Sequence, residues 1–278
     1  MVQHNRLSHA LLFLGKEGSG ALPLAMAFAQ YISLLPNQNN TAPAETSLFG
    51  EATPEITLPD TPEAADSWMP QQAAFSKAEN LVHPDIHFSY PVVTKKAGTP
   101  PISADYITEW REFIKQYPYG NVYDWLQFIE AENKQGNITA QECNDILRKL
   151  NLKSFESGYK ILVLWMPEYL GKEGNKLLKL IEEPPANTLF ILVAENEESI
   201  LSTILSRCQL VRIPLIDIEA VEEALIQKAK VQPDQARQIA NISQGNYREA
   251  LHILQHADED YGNLLREWLN ATLKNATI

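Results

Sequence analysis

A parallel α/β sheet flanked by helices, followed by a small all-helical domain, is the fold class that this sequence predicts. Three observations carry it. Short runs that are apolar throughout or nearly so recur, "ALLFL" at 10–14, "YKILVLWM" at 159–166 and "TLFILVAE" at 188–195, and strands without polar alternation belong to sheets covered on both faces. Helical patterns separate these runs, which implies crossover connections and parallel pairing. From Ile216 onward the strand patterns stop.

The elements follow in order. After "ALLFL" comes a glycine-rich turn, then an Ala- and Leu-rich helix from Ala21 to Leu35 with Pro23 near its start, where proline is tolerated. Residues 36–82 change character, dense in Pro, Thr, Asn and acids, and read as an irregular excursion. "PDIHFSYPVV" then reads as a strand. Residues 103–116, 122–133 and 139–150 have helical spacing, with Ser103 and Thr139 as N-caps. After the second apolar strand, "KEGNKLLKLIEE" is a helix stopped by Pro184 and Pro185. After the third, "EESILSTILSRC" reads as a helix and "QLVRI" as a strand. Three further helices, separated by Pro233 and Gly245, complete the pattern, and "DYGNLLREWLNATL" is helical again. The expected domains are 1–213, 214–257, and a further segment at 258–278.

The chain has 278 residues, 45% hydrophobic and 21% charged, enough for two modest domains. Its net charge of −12 argues against binding nucleic acid by itself, because phosphate contacts need clustered Lys and Arg. No apolar run approaches a membrane span, and the first ten residues lack a secretory pattern. Two distant cysteines, Cys143 and Cys208, fit a reducing compartment. A cytoplasmic protein is expected.

The turn after "ALLFL" has the spacing of a phosphate-binding loop at Gly15 and Gly20, with Gly18 between them. The positions for the phosphate-gripping Lys and the Mg²⁺-holding hydroxyl carry Ala21 and Leu22. The turn is either an anion cradle built from backbone N–H groups or a plain strand-to-helix connection. Working ATPases of this type also place an acid at the end of the central strand. Here that strand ends in Leu164 and Trp165, and Glu168 is expected to face outward. Both defects argue against hydrolysis. His83, Asp85 and His87 alternate and would share a strand face, but hydrogen bonding is the expected role, and no metal site is predicted.

The stretch 175–213 carries the specific signal. Asn175, Leu177, Leu178, Lys179, Glu182, Glu183, Pro184 and Pro185 are followed by Thr188, Phe190, Ile191 and Leu192, and then by Thr203, Ser206, Arg207 and Cys208. This order resembles the clamp-loader subunits of bacterial DNA polymerase III, within the AAA+ superfamily. "NRLSHALLFLG" (5–15) and "HPDIHF" (83–88) are also similar to that family. The resemblance covers about 5–257, with 36–66 outside it. It is strongest to the delta-prime type, whose own nucleotide site is degraded.

The resemblance implies an AAA+ P-loop core, a three-helix lid and a helical collar, of which 258–278 would be only a beginning. It implies that Arg207, aimed by Ser206 and Cys208, acts in trans as an arginine finger on ATP held by a neighbouring subunit. Arg suits this because it stays charged and donates in a rigid fork. Arg207 capping a helix C-terminus is the structural alternative. Arg248 matches the lid's nucleotide-sensing arginine, or else pairs with a lid acid. The implied partners are gamma/tau and delta subunits, the sliding clamp indirectly, and primed DNA only through the assembly. The family's zinc module is expected to be absent, since Trp68, Gln71, Ala74 and Leu34 stand where thiolates would be needed. The module is either absent altogether or replaced by an apolar plug around Trp68. No cofactor is expected on this chain. An active ATPase of the gamma/tau type and a scaffold without a catalytic arginine are the competing readings.

Overall fold

The computed structural model describes residues 7–36, 58–95 and 98–256. The expected collar segment 258–278, and 37–57 of the expected excursion, lie outside the described residues. The chain divides into two compact units, 1–214 and 215–278.

In the first unit, β1 (Ala10–Gly15), β2 (Ile86–Ser89), β3 (Lys160–Trp165), β4 (Thr188–Ala194) and β5 (Gln209–Ile213) form one sheet in the order β2-β3-β4-β1-β5. Every pairing is parallel, with Leu12 opposite Leu192 and Leu164 opposite Leu192 across the centre. Alternate residues serve two cores, as strand geometry requires. Leu11, Phe13, Ile161, Val163, Trp165, Ile191 and Val193 line one face; Leu12, Leu162, Leu164, Phe190 and Leu192 line the other.

The first face packs on α1 (Ala21–Leu34) and on an aromatic cluster. Between α1 and β2, Thr61 caps α2 (Pro62–Trp68), and α3 (Phe75–Glu79) follows. The expected irregular excursion is therefore helical over much of 58–82. Trp68 is half-buried with its ring 6.0 Å from Tyr31, an edge contact and not an apolar plug, so of the two alternatives the plug does not form.

Beyond β2 come α4 (Ile107–Gln116) and α5 (Val122–Phe128). Ser103 does not cap α4. It lies in a 3₁₀ turn at Ser103–Tyr106, where its hydroxyl exchanges hydrogen bonds with the Tyr90 backbone and its N–H donates 2.7 Å to the buried Glu142. α5 begins at a reciprocal cap, Asn121 with Asp124, and stops well short of 133, with Glu130 in the left-handed region. Thr139 caps α6 (Ala140–Leu150) as expected, accepting from Glu142 N–H at 3.1 Å.

Two expected helices are shorter than their patterns. A 3₁₀ stretch with a kink at Gly171 precedes α7 (Asn175–Glu182), which therefore starts at 175 rather than 172. The pattern at 197–208 splits into a 3₁₀ turn and α8 (Ser202–Leu205), because Asn196 caps the turn and Ile200 is extended and buried. Among its described residues, the second unit holds α9 (Ile218–Gln227), α10 (Pro233–Ser243) and α11 (Tyr247–Gln255).

His83 and Asp85 precede β2, so the expected three-residue strand face does not form. Asp85 is buried, and its carboxylate accepts from the backbone N–H groups of Phe155, Glu156 and Ser157 at 2.6–2.8 Å. His83 accepts from Asp85 N–H through Nδ1. Asp85 thus pins the entry into β3, and a buried donor left without its acceptor is costly. Asp85→Ala is expected to lower stability by about 2–4 kcal/mol, read by urea unfolding, with Asp85→Asn recovering part because one acceptor oxygen remains.

Candidate functional site at the glycine loop and the Ser-Arg-Cys segment

The glycine loop closes as a tight turn, with Ser19 N–H donating to the Lys16 carbonyl at 3.0 Å. Gly18 and Gly20 both occupy the left-handed region, at φ 73° and 83°. Gly20 also has the Tyr119 ring 3.1 Å from where a Cβ would sit, so two constraints select glycine there. It caps α1 without a side chain, and the first turn of α1 carries no acid. Ala21 and Leu22 are buried.

The space over this loop is nearly filled. It has room for about 30 Å³, walled by the loop, Pro118–Gly120, Trp165, Met166 and Val193–Glu195. That is on the order of one or two waters. Three features fill it. Tyr119 covers Gly20. Asn121 Nδ2 donates to Glu17 at 2.8 Å, tying the covering turn to the loop. Trp165, at the position where an ATPase would have its acid, is 2% exposed and lies 5.3 Å from the Trp110 ring and 6.2 Å from Phe113. The end of β3 is therefore a piece of aromatic core. Met166 follows in the left-handed region, at φ 58°, a strained conformation for a side chain of its size.

Glu168 corrects an expectation. Rather than facing outward, it is half-buried, and Oε1 accepts from Glu195 N–H at 2.8 Å and Asn196 N–H at 2.9 Å. It ties the stretch after β3 to the end of β4. Tyr119, Asn121, Glu17 and Glu168 were not legible as a group from spacing. The available signal was "YPYG" between two helical patterns, a turn sequence with Pro second and Gly last.

The second group is Ser206, Arg207 and Cys208, directly after α8. Arg207 pairs with Glu182 at the end of α7, donates from Nη1 to the Thr203 carbonyl at 2.7 Å, and reaches Ser206 Oγ at 3.2 Å. Ser206 Oγ itself donates to the Thr203 carbonyl. The Arg207 side chain remains 34% exposed, so the guanidinium is held at the surface of its own unit. Burial pushes the Cys208 thiol up to about 11, which makes it an inert packing group at neutral pH. Cys143 is buried and also raised to about 11. Arg248 lies half-buried in the first turn of α11, in the second unit. Among the described residues, no group of three or more His, Cys, Asp and Glu is placed to hold a metal ion, and no helix is long and apolar enough to cross a membrane.

Burial pushes the Glu168 carboxyl above its ordinary 4.5, against the lowering effect of its two N–H donors. A folded-state value above the unfolded one means that the folded chain binds the proton more tightly. The contribution of this group therefore favours folding at low pH and is lost as pH rises from about 4.5 through the raised value. Glu168→Gln keeps an acceptor for both N–H groups and removes the titration. Urea midpoints compared from pH 4.5 upward should show the unsubstituted chain losing ground to this variant as pH increases.

Comparison with known proteins gives a consistent neighbourhood. The family model described as "DNA polymerase III, delta subunit" matches residues 1–217. The delta' subunit of DNA polymerase III from Bacillus subtilis is 24% identical over 252 residues, 91% of this chain and 55% of that protein. The delta' subunit from Haemophilus influenzae is 31% identical over 134 residues, 48% of this chain and 41% of that protein. A gamma subunit from Buchnera aphidicola is 29% identical over 138 residues, 48% of this chain and 38% of that protein. The chain spans about half the length, or less, of these relatives.

Proposed function

Since the chain belongs to the family described as DNA polymerase III, delta subunit, we propose that it is a clamp-loader subunit that hydrolyses no ATP and lends Arg207 to ATP held by a neighbouring gamma/tau-type subunit. The observation that carries the non-hydrolysing half is the end of β3. Trp165 sits in an aromatic core where a Mg²⁺-organising carboxylate would be needed, and Ala21 replaces the gripping lysine. The covered glycine loop supports the same conclusion.

The in-trans half rests on the placement of Arg207. Its guanidinium is stored at the surface on Glu182 and Thr203, within its own unit, and is partly exposed. A partially exposed ion pair is worth little in isolation. A γ-phosphoryl group that develops charge in a drier interface would compete for the guanidinium on favourable terms. Ser206 steadies the arm that carries it. Arg248, the sensor position, belongs to the lid and has no partner nucleotide in this reading. The remaining partners follow from the same family: a delta subunit, the sliding clamp indirectly, and primed DNA through the assembly. The cytoplasm is the compartment that this role requires.

The isolated chain should turn over no ATP. In a loader reconstituted with gamma/tau and delta subunits, Arg207→Ala should leave assembly intact and slow hydrolysis at the facing site by ~10³-fold or more, the range for an arginine supplied in trans. Unchanged hydrolysis in that complex would leave the chain as a scaffold, and turnover by the chain alone would make it an ATPase.

A further inference from the structure

We propose that the Tyr117–Gly120 turn is a built-in stopper, an autoinhibitory contact by which the chain masks an anion cradle of its own. This rests on the preceding reading only in taking the glycine loop as a worn nucleotide site.

The turn is closed by Gly120 N–H donating to the Tyr117 carbonyl at 2.9 Å. It is seated from below, because a Cβ on Gly120 would lie 2.7 Å from the Phe113 ring, and Phe113 is wholly buried. It is latched from the side by Asn121 and Glu17. Asn121 is held in turn by its reciprocal cap with Asp124. Tyr119 is thereby placed over Gly20, and burial raises its phenol above its ordinary value.

What lies beneath is uncommitted. The fourteen-residue helix α1 points its N-terminus at the covered space with no side-chain cap and no acid in its first turn. Ser19 Oγ is buried, has no hydrogen-bond partner, and is directed at Gly15, where an added Cβ would collide with it. An unpaired hydroxyl at a helix N-terminus is the arrangement that favours an oxyanion. Lys16, Glu17 and Glu195 also line the space. The room left, about 30 Å³, holds one or two waters, fewer heavy atoms than a phosphate group carries. With the Tyr119 ring over Gly20, the turn obstructs a phosphate at the helix N-terminus, independently of the missing lysine.

The test separates the two defects. Inorganic pyrophosphate is titrated calorimetrically into the full chain and into Ala21→Lys, Tyr119→Ala and the double variant, each checked for folding by circular dichroism. The stopper predicts no measurable binding for the chain or for Ala21→Lys, and binding at least tenfold tighter for the double variant than for Ala21→Lys. Ala21→Lys combined with Tyr119→Phe, which keeps the ring and the fold, should behave as Ala21→Lys. The proposal is overturned if Ala21→Lys alone binds as tightly as the double variant, or if the folded double variant binds no better than the unsubstituted chain. Neither result touches the Arg207 reading, which is measured at the neighbour's site.

Discussion

The packing of Trp165 against Trp110 and Phe113 is the contact from which the rest of the site follows. Trp110 stacks on Tyr90 at 4.0 Å and meets Trp125 edge-on at 5.3 Å. These rings join α4, α5 and the end of β3 into one rigid body. Aromatic contacts of this kind contribute about 0.5–1.5 kcal/mol each beyond the area that they bury. The turn between α4 and α5 has little freedom once both helices are fixed to the same cluster. Its position over the glycine loop is a geometric result of that packing, and the Asn121–Glu17 hydrogen bond completes it.

The sheet was legible in the sequence because fully buried strands leave an apolar run, and β3 and β4 fall within those runs while β1 exceeds its run by one residue, Gly15. Thr139 was legible as a cap because its pattern is local. The helical stretches at 122–133 and 197–208 were overread because apolar spacing registers neither a residue in the left-handed region, such as Glu130, nor a local cap followed by an extended, buried residue, as at Asn196 and Ile200. Ser103 misled because its hydroxyl, the group that would cap, is taken up by the backbone of Tyr90, thirteen positions earlier. Trp165 was visible as a missing acid, but its partners Trp110 and Phe113, more than fifty positions earlier, were not. The pairing of Arg207 with Glu182 likewise joins two motifs that are adjacent only after folding.

The two candidate groups differ in physical character. The glycine loop is covered, latched and nearly without free volume. The Ser-Arg-Cys segment is partly solvated, and its cation is held by contacts that a stronger anion can replace. A chain with this division has its tightly packed part at the glycine loop and its exchangeable part at the surface, where another protein could reach it.

Trp165 also bears on how such a chain could change over time. A carboxylate introduced there would be desolvated among aromatic rings and would leave a void, two costs that core substitutions each show separately. On the proposed reading, a lysine introduced at Ala21 alone would meet no bound phosphate, so each single step toward an active centre would be unrewarded or harmful. The stability of the aromatic core at the end of β3 would then hold the site in its present form, and an active centre would require several simultaneous changes.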